Sequence, residues 1–170
     1  SDMTVEDLAA YRPIMRTPLI SEVLFDRYRV VAMPPPSSGG IAEVEILGII
    51  NRRWGDVPAV DHSDPKWTHL VVESMKHAFA NRATYLADPA YASVPTARLI
   101  DPATIDDLAA KIDLHTTAPP ETYGSTIAGY ESNGTSHFSV IDAQGRAVAC
   151  TETINLPFGS LVGVPEWGIV

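Results

Sequence analysis

The chain has 170 residues, is 45% hydrophobic and carries a formal net charge of −9 at pH 7. This length and apolar content suffice for one hydrophobic core, whereas the acidic charge argues against a nucleic-acid partner. No apolar run approaches the roughly 20 residues of a membrane-spanning helix. The single cysteine, Cys150, excludes an internal disulfide and a cysteine-rich metal site, and we expect a buried, inert thiol.

The chain begins with a short helix and a strand. Thr4 is a typical helix N-cap and Asp7 completes a pattern like a capping box, which predicts a helix from Val5 to about Tyr11. Residues 27–33 have the composition of a strand, and three consecutive prolines end it.

A Ser-Ser-Gly-Gly sequence, residues 37–40, follows the prolines and leads into a predicted helix from Ile41 to Arg53. We interpret residues 37–40 as a tight turn between strand and helix. The alternative is an anion site made by backbone N–H groups at the start of that helix.

Two Asp-Pro pairs start the next helices, one from Lys66 to Leu86 and one from Pro102 to about Ile112. His69 and His77 are too far apart for the usual i, i+4 metal pair, so we predict no metal site. The apolar side chains expected to share one face of the longer helix are Leu70, Val71, Met75, Ala78, Phe79 and Ala83.

Residues 116–132 contain prolines, glycines and hydroxyl side chains without periodicity, which predicts an exposed linker suited to a processing site.

The sequence after this linker predicts a β-hairpin. Asp142 and Arg146 flank a three-residue loop with Gly145 in the left-handed position, a common hairpin connection. Pairing Asp142 with Arg146 puts Thr135 opposite Thr153 on one face of the sheet. The same register places two more polar side chains on that face, Thr151 and Asn155.

Thr135 is the candidate nucleophile. A threonine hydroxyl needs a base, and an N-terminal threonine has its own in the α-amino group, with a pKa of roughly 7.7–8.0. Thr135 is internal, so this chemistry requires prior cleavage of the Gly134–Thr135 bond. Alternatively, Thr135 is an ordinary strand residue. His137 shares its face and is either a general base or, in our interpretation, a structural residue.

Several separated motifs resemble those of the gamma-glutamyltranspeptidase family, a family of N-terminal nucleophile hydrolases. The resembling segments lie at residues 4–11, 33–40, 88–89, 131–140, 142–145, 151–155 and 158–160, and they cover nearly the whole chain in the family's order. The resemblance implies that Thr135 is the autoprocessing residue and catalytic nucleophile and that Thr153 orients it. It also implies that Asn155 contacts the α-amino and α-carboxylate end of the glutamyl group.

The resemblance implies a mixed α+β fold that is part of an αββα four-layer sandwich, here incomplete. Residues 1–134 would be the C-terminal part of the large-subunit region and residues 135–170 the N-terminal part of the small-subunit region. The implied substrates are γ-glutamyl compounds, with water or an amino acid as acceptor and no cofactor. A periplasmic, secreted or cell-surface location is also implied.

The family's remaining substrate-binding residues and its oxyanion hole are expected outside this segment, in the rest of the parent enzyme. We therefore expect a fragment that is inactive alone, and exposed strand edges that favour dimerisation or aggregation. Two alternatives remain open. One is a related amide acylase for a cephalosporin or polyglutamate side chain, and the other is an unprocessed, non-catalytic scaffold.

Overall fold

The computed structural model describes residues 4–23, 27–56, 63–124 and 135–154, together with Gly159 and Gly163. The chain divides into two units. Residues 15–127 form the larger unit, and residues 1–14 with 128–170 form the smaller one. Within the described ranges, no helix is both long enough and apolar enough to cross a membrane.

Helices and two small antiparallel sheets make up the described structure, which confirms the mixed α+β prediction. In the larger unit, β1 and β2 form one hairpin; in the smaller unit, β3 and β4 form another. Short 3₁₀ turns lie at Trp54–Asp56 and Pro120–Thr122. The elements are α1 (Val5–Ala10), β1 (Leu19–Val23), β2 (Tyr28–Ala32), α2 (Gly39–Arg53), α3 (Pro65–Tyr85), α4 (Thr96–Leu99), α5 (Pro102–Ala110), β3 (Ser136–Ile141) and β4 (Ala147–Glu152).

The predicted capping residues mark the helix starts. Thr4 and Asp7 form a reciprocal capping box on α1, each side chain bonding the other residue's backbone N–H. Asp64 accepts a hydrogen bond from the backbone N–H of Lys66 at the start of α3, at 2.8 Å. Asp101 accepts one from Ala103 at the start of α5, at 2.9 Å. These bonds satisfy N–H groups that have no partner within the helix.

The core of the larger unit lies where α2 packs against α3 and α5. Charged side chains reinforce its rim: Arg53 donates to the carbonyl oxygens of Ala109 and Ile112, at 2.8 and 2.6 Å. Trp54 and Trp67 pack edge to face at one side of this core, with ring centroids 5.8 Å apart. The buried apolar residues of the cluster are Val44, Ile49, Ile50, Leu70, Ile105, Leu108, Ala109 and Ile112.

Helix α2 starts two residues earlier than predicted, at Gly39, and its first turn passes close to the end of β2. A β-carbon at Gly40 would lie 2.8 Å from the β-carbon of Ala32 and would also collide with the carbonyl oxygen of Met33. The predicted turn at residues 37–40 is misplaced: the turn lies at residues 35–36, and residues 39–40 already belong to α2. The Ser38 hydroxyl accepts a hydrogen bond from Arg82 at 2.9 Å. Strand β1, which pairs with β2, was not predicted.

The predicted apolar face of α3 is partly wrong. Met75 and Phe79 are 41% and 50% exposed, and Ala83 is exposed as well. Glu73 and His77 are buried instead, at 2% exposure each. Burial of Glu73 is tolerated because its carboxylate accepts hydrogen bonds from neighbouring side chains. Hydrophobicity alone therefore misplaced the buried face.

The described part of the predicted linker at residues 116–132 is mostly exposed, as predicted, but it also makes tertiary contacts. Thr117 and Tyr123 both donate to the Glu73 carboxylate, so the first part of this segment is attached to α3. Residues 125–132 lie outside the described part of the chain.

A second buried carboxylate lies between α2 and α3. Glu45 is 0% exposed, and one of its oxygens accepts a hydrogen bond from the Asn81 amide at 2.8 Å. Its other oxygen, Oε2, has no hydrogen-bond partner among the described residues. Burial raises the pKa of Glu45 to about 7, although the bond from Asn81 acts in the opposite direction. The side chain is therefore substantially protonated at neutral pH.

Candidate active site

The loop between β3 and β4 sets the geometry of the candidate site. Gly145 has φ +79°, the left-handed conformation that a three-residue hairpin loop requires. Asp142 accepts hydrogen bonds from the backbone N–H groups of Arg146 and Gln144, both at 2.9 Å, and forms an ion pair with the Arg146 side chain. The bonds from Arg146, ahead of that from Gln144, hold the pKa of Asp142 below its ordinary value.

This loop produces the predicted strand register. Ser136 pairs with Glu152 and His137 pairs with Thr151, so the next position places Thr135 opposite Thr153. The Thr135 hydroxyl donates a hydrogen bond to the Thr153 hydroxyl, with 2.9 Å between the oxygens. Both residues are exposed in the described structure.

His137 lies on the same face but bonds to other side chains. Its Nδ1 is 2.7 Å from the hydroxyl of Thr151, and its Nε2 is 3.1 Å from the hydroxyl of Ser139. With both ring nitrogens in hydrogen bonds, the imidazole is held along the strand pair. The structural role of His137 stays a prediction.

The opposite face of the hairpin is apolar near the loop and polar at the other end, where Ser136 pairs with Glu152. Phe138 pairs with Cys150, and Val140 pairs with Val148. Cys150 is a free thiol of intermediate exposure, which corrects the expectation that it is fully buried. Its side of the sheet is the one opposite the Thr135 hydroxyl, since side chains alternate along a strand.

Two of the candidate site residues cannot be placed. Asn155, the predicted contact for the glutamyl end, and Gly134, on the acyl side of the predicted cleavage site, lie outside the described residues. Within the described ranges, no group of three or more His, Cys, Asp and Glu side chains is arranged to hold a metal ion. The site as described is therefore a hydroxyl pair extended by a row of polar side chains.

The sequence profile of the family described as Gamma-glutamyltranspeptidase matches this chain over residues 1–170. The chain belongs to the gamma-glutamyltranspeptidase family. It is 39% identical to the glutathione hydrolase proenzyme of Escherichia coli over 169 residues, which is 99% of this chain and 28% of that protein. It is 37% identical to the Acylase ACY 1 proenzyme of a Pseudomonas species, covering 96% of this chain and 28% of that protein.

A solved member of the family shares the fold. The gamma-glutamyltranspeptidase from Pseudomonas nitroreducens, complexed with L-DON, matches with a TM-score of 0.66 and 34% identity. The match covers 71% of this chain and 36% of that one. It confirms the expected fold class, a mixed α+β member of the N-terminal nucleophile hydrolases matched in part. The chain thus spans less than a third of the length of the two curated relatives.

Proposed function

We propose that the protein encoded by the complete reading frame is a γ-glutamyl acyltransferase and hydrolase, activated by cleavage of its own Gly134–Thr135 bond. The supporting observation is the Thr135–Thr153 hydrogen bond, at 2.9 Å, in a chain of the gamma-glutamyltranspeptidase family. The proposed boundary divides residues 1–134, a large-subunit region, from residues 135–170, a small-subunit region.

Processing begins when the Thr135 oxygen attacks the Gly134 carbonyl carbon. The peptide C–N bond breaks, an ester forms, and the proton lost by the Thr135 hydroxyl passes to the Thr135 nitrogen, which becomes a free amine. Water then hydrolyses the ester, leaving a carboxylate on Gly134 and restoring the Thr135 hydroxyl. The new amine supplies the base that an internal threonine lacks.

In turnover, the Thr135 amine takes the hydroxyl proton while the oxygen attacks the γ-carbonyl of a glutathione-like donor. The amide bond breaks, and the leaving amine takes up the proton. Water or the amine of an acceptor amino acid then attacks the ester and releases the γ-glutamyl group. Thr153 orients the nucleophile throughout, and Asn155 binds the α-amino and α-carboxylate end of the donor.

Mass spectrometry of the denatured protein, expressed from the complete reading frame, tests this mechanism. The wild-type protein should yield two polypeptides, the second beginning at Thr135. Thr135→Ala should remain one polypeptide and should not hydrolyse γ-glutamyl-p-nitroanilide. Ser136→Ala is the matched control, since its side chain is on the opposite face, and it should be processed. An uncut wild-type protein with full activity would overturn the proposal, and an uncut, inactive one would favour the scaffold alternative.

A second candidate activity is that of an amide acylase with a different acyl group. It is favoured by the 37% identity to a protein named Acylase ACY 1 proenzyme. Both activities would use the same threonine, so processing does not distinguish them. The acyl preference does, and it is measured by comparing the rates on γ-glutamyl-p-nitroanilide and on glutaryl amides. Faster turnover of the glutaryl amide, with processing intact, would assign the acylase activity.

We also propose, on the family resemblance, that the protein acts outside the cytoplasm. Fractionation of cells expressing the complete reading frame should find γ-glutamyl hydrolysis in the periplasmic or secreted fraction or at the cell surface. Activity confined to the cytoplasmic fraction would contradict this location.

A further inference from the structure

The Thr135–Thr153 hydrogen bond has a neighbour on the same face of the hairpin. Two residues further along each strand, His137 lies opposite Thr151, and its Nδ1 is 2.7 Å from the Thr151 hydroxyl. The other ring nitrogen, Nε2, is 3.1 Å from the hydroxyl of Ser139 on the histidine's own strand. The imidazole therefore joins β3 to β4 and is held at both nitrogens.

The chemistry of imidazole allows both bonds at once. A neutral ring has one nitrogen that donates and one that accepts, and a hydroxyl group can do either. Either tautomer therefore satisfies Thr151 and Ser139 together. Both nitrogens are thereby committed to side chains other than Thr135, whose hydroxyl bonds to Thr153.

The position of the His137–Thr151 bond in the hairpin places it next to the candidate nucleophile. Strand β3 begins at Ser136, which pairs with Glu152, and the side chains of that pair point to the opposite face. On the face of Thr135, the first cross-strand pair within the two strands is therefore His137 with Thr151. Thr135 itself lies one residue outside β3, so the placement of its hydroxyl depends on how well the strand ends stay together.

Self-cleavage would make this dependence stronger. In the precursor, Thr135 is covalently bonded to residues on both sides, whereas after cleavage it is the first residue of its polypeptide. Chain ends open locally at little cost in free energy unless backbone or side-chain bonds hold them. A cross-strand bond beside the terminal residue opposes such opening.

We propose that His137 is a positioning residue for turnover: its bond to Thr151 holds β3 against β4 and keeps Thr135 opposite Thr153 in the processed enzyme. This inference rests on the proposed function. The imidazole acts through the two strands and contacts neither the donor nor the proton of the Thr135 hydroxyl. Its loss therefore lowers kcat and leaves KM nearly unchanged. The effect on self-cleavage is smaller, because the nucleophile is still held on both sides in the precursor.

The test compares variants expressed from the complete reading frame, with kcat and KM measured on γ-glutamyl-p-nitroanilide per processed molecule. Thr151→Val keeps the shape of the side chain and removes the hydroxyl, so kcat should fall by roughly 2- to 10-fold, the equivalent of one neutral hydrogen bond. Thr151→Ser keeps a hydroxyl and should retain most of the wild-type kcat. A rise in KM with kcat unchanged would show that this pair binds the donor and would overturn the inference.

Substitutions of the histidine test the other side of the bond. His137→Phe keeps a ring without nitrogen atoms and should match Thr151→Val. His137→Asn places an amide group near the position of Nδ1, within reach of Thr151, and should lose less. The double variant His137→Phe/Thr151→Val should lose no more than either single variant, because both substitutions remove the same bond. Additive losses would contradict a shared bond.

A control variant separates positioning from general stability. Val148→Ala weakens β4 on the opposite face, because alanine is the poorer strand former, and it should keep the wild-type kcat. Wild-type kcat in both Thr151→Val and His137→Phe would overturn the inference, as would an equal loss in Val148→Ala. A loss of about 100-fold or more in His137→Phe alone would assign general-base catalysis instead. A wild-type protein that is never cut, or that is cut but does not hydrolyse the γ-glutamyl substrate, would overturn the proposed function.

Discussion

At the scale of single residues, the Thr135–Thr153 pair carries the functional proposal. The hydrogen bond joins neighbouring strands, so its length depends on the register that the hairpin loop imposes. In the proposed mechanism the partner orients the attacking oxygen, so removing its hydroxyl should slow processing more than it lowers the free energy of unfolding.

Thr153→Ala should slow self-cleavage by roughly 2- to 10-fold, the kinetic equivalent of one neutral hydrogen bond. Thr153→Ser keeps the hydroxyl and should process near the wild-type rate. The rates are measured as the fraction cut over time by mass spectrometry. Equal slowing in the two variants would show that the methyl group, rather than the hydroxyl, is what matters.

Glu45 should make the protein less stable as the pH rises from about 4.5 to 7. Its pKa is raised to about 7 by burial, so the folded state binds a proton that the unfolded state has released across this range. Folding free energy is therefore lost as the pH rises through the window, by about 3 kcal/mol at most. Glu45→Gln should remove most of this dependence in urea unfolding at pH 5 and pH 8.

Glu43→Gln is the control for this experiment, because Glu43 is exposed on the same helix. It should keep the wild-type dependence on pH. An unchanged slope in Glu45→Gln would assign the effect to other groups.

At the scale of elements, the first two residues of α2 are glycines that differ in their surroundings, and only Gly40 lies against the end of β2. A β-carbon at Gly40 would meet the backbone of Met33, which cannot move without shifting the strand. A β-carbon at Gly39 would have the Ser37 hydroxyl as its nearest neighbour, at 3.8 Å, an ordinary contact. Helix α2 can therefore accept a side chain at one position and not at the next.

Gly40→Ala should destabilise the protein by about 1–3 kcal/mol, the usual cost of overpacking. Gly39→Ala should be neutral or stabilising by up to about 1 kcal/mol, because alanine is the better helix former. Urea unfolding of the two variants gives the comparison directly. If Gly40→Ala were as stable as Gly39→Ala, the close approach of helix and strand would be wrong.

Patterns local in sequence predicted most of these elements. The capping residues Thr4, Asp64 and Asp101 located three helix starts, and Gly145 was enough to derive the register of β3 and β4. In each case the physical cause lies within a few residues of its effect.

Contacts between distant residues were not predictable in this way. Glu45 and Glu73 are charged residues whose burial depends on partners 36 to 50 positions away, such as Asn81 and Tyr123. Strand β1 was not predicted because residues 19–23 carry no clear strand pattern of their own. They form a strand by pairing with β2. The candidate site was accessible from sequence because its two threonines are joined by a short hairpin.

At the scale of the whole molecule, carboxylates with lowered pKa values should set an acid limit on stability. The pKa values of Asp7, Glu73, Asp113 and Asp142 all lie below their ordinary range. The causes are hydrogen bonds to each carboxylate. Asp7 accepts them from Thr4, Asp113 from the backbone of His115, and Asp142 from Arg146. Burial would raise the pKa of Glu73, but hydrogen bonds from Lys76, Thr117 and Tyr123 outweigh it. Lowered values stabilise the folded state above the ordinary pKa of each group.

Stability should therefore decrease as the pH falls below about 4 and these groups gain protons in the folded state. The measurement is the urea midpoint by far-ultraviolet circular dichroism between pH 6 and pH 2.5. Asp142→Asn should reduce the size of the decrease. A midpoint that continued to rise below pH 4 would contradict this prediction, because Glu45 is protonated in both the folded and the unfolded state there.

The edge-to-face indoles of Trp54 and Trp67 also give the larger unit an optical signature. Two indoles 5.8 Å apart are close enough for their electronic transitions to couple, so the pair should contribute a paired positive and negative band in the ultraviolet. That signal depends on the mutual orientation of the rings and vanishes once they separate. Loss of the couplet would report the opening of the contact between α2 and α3 without any added label.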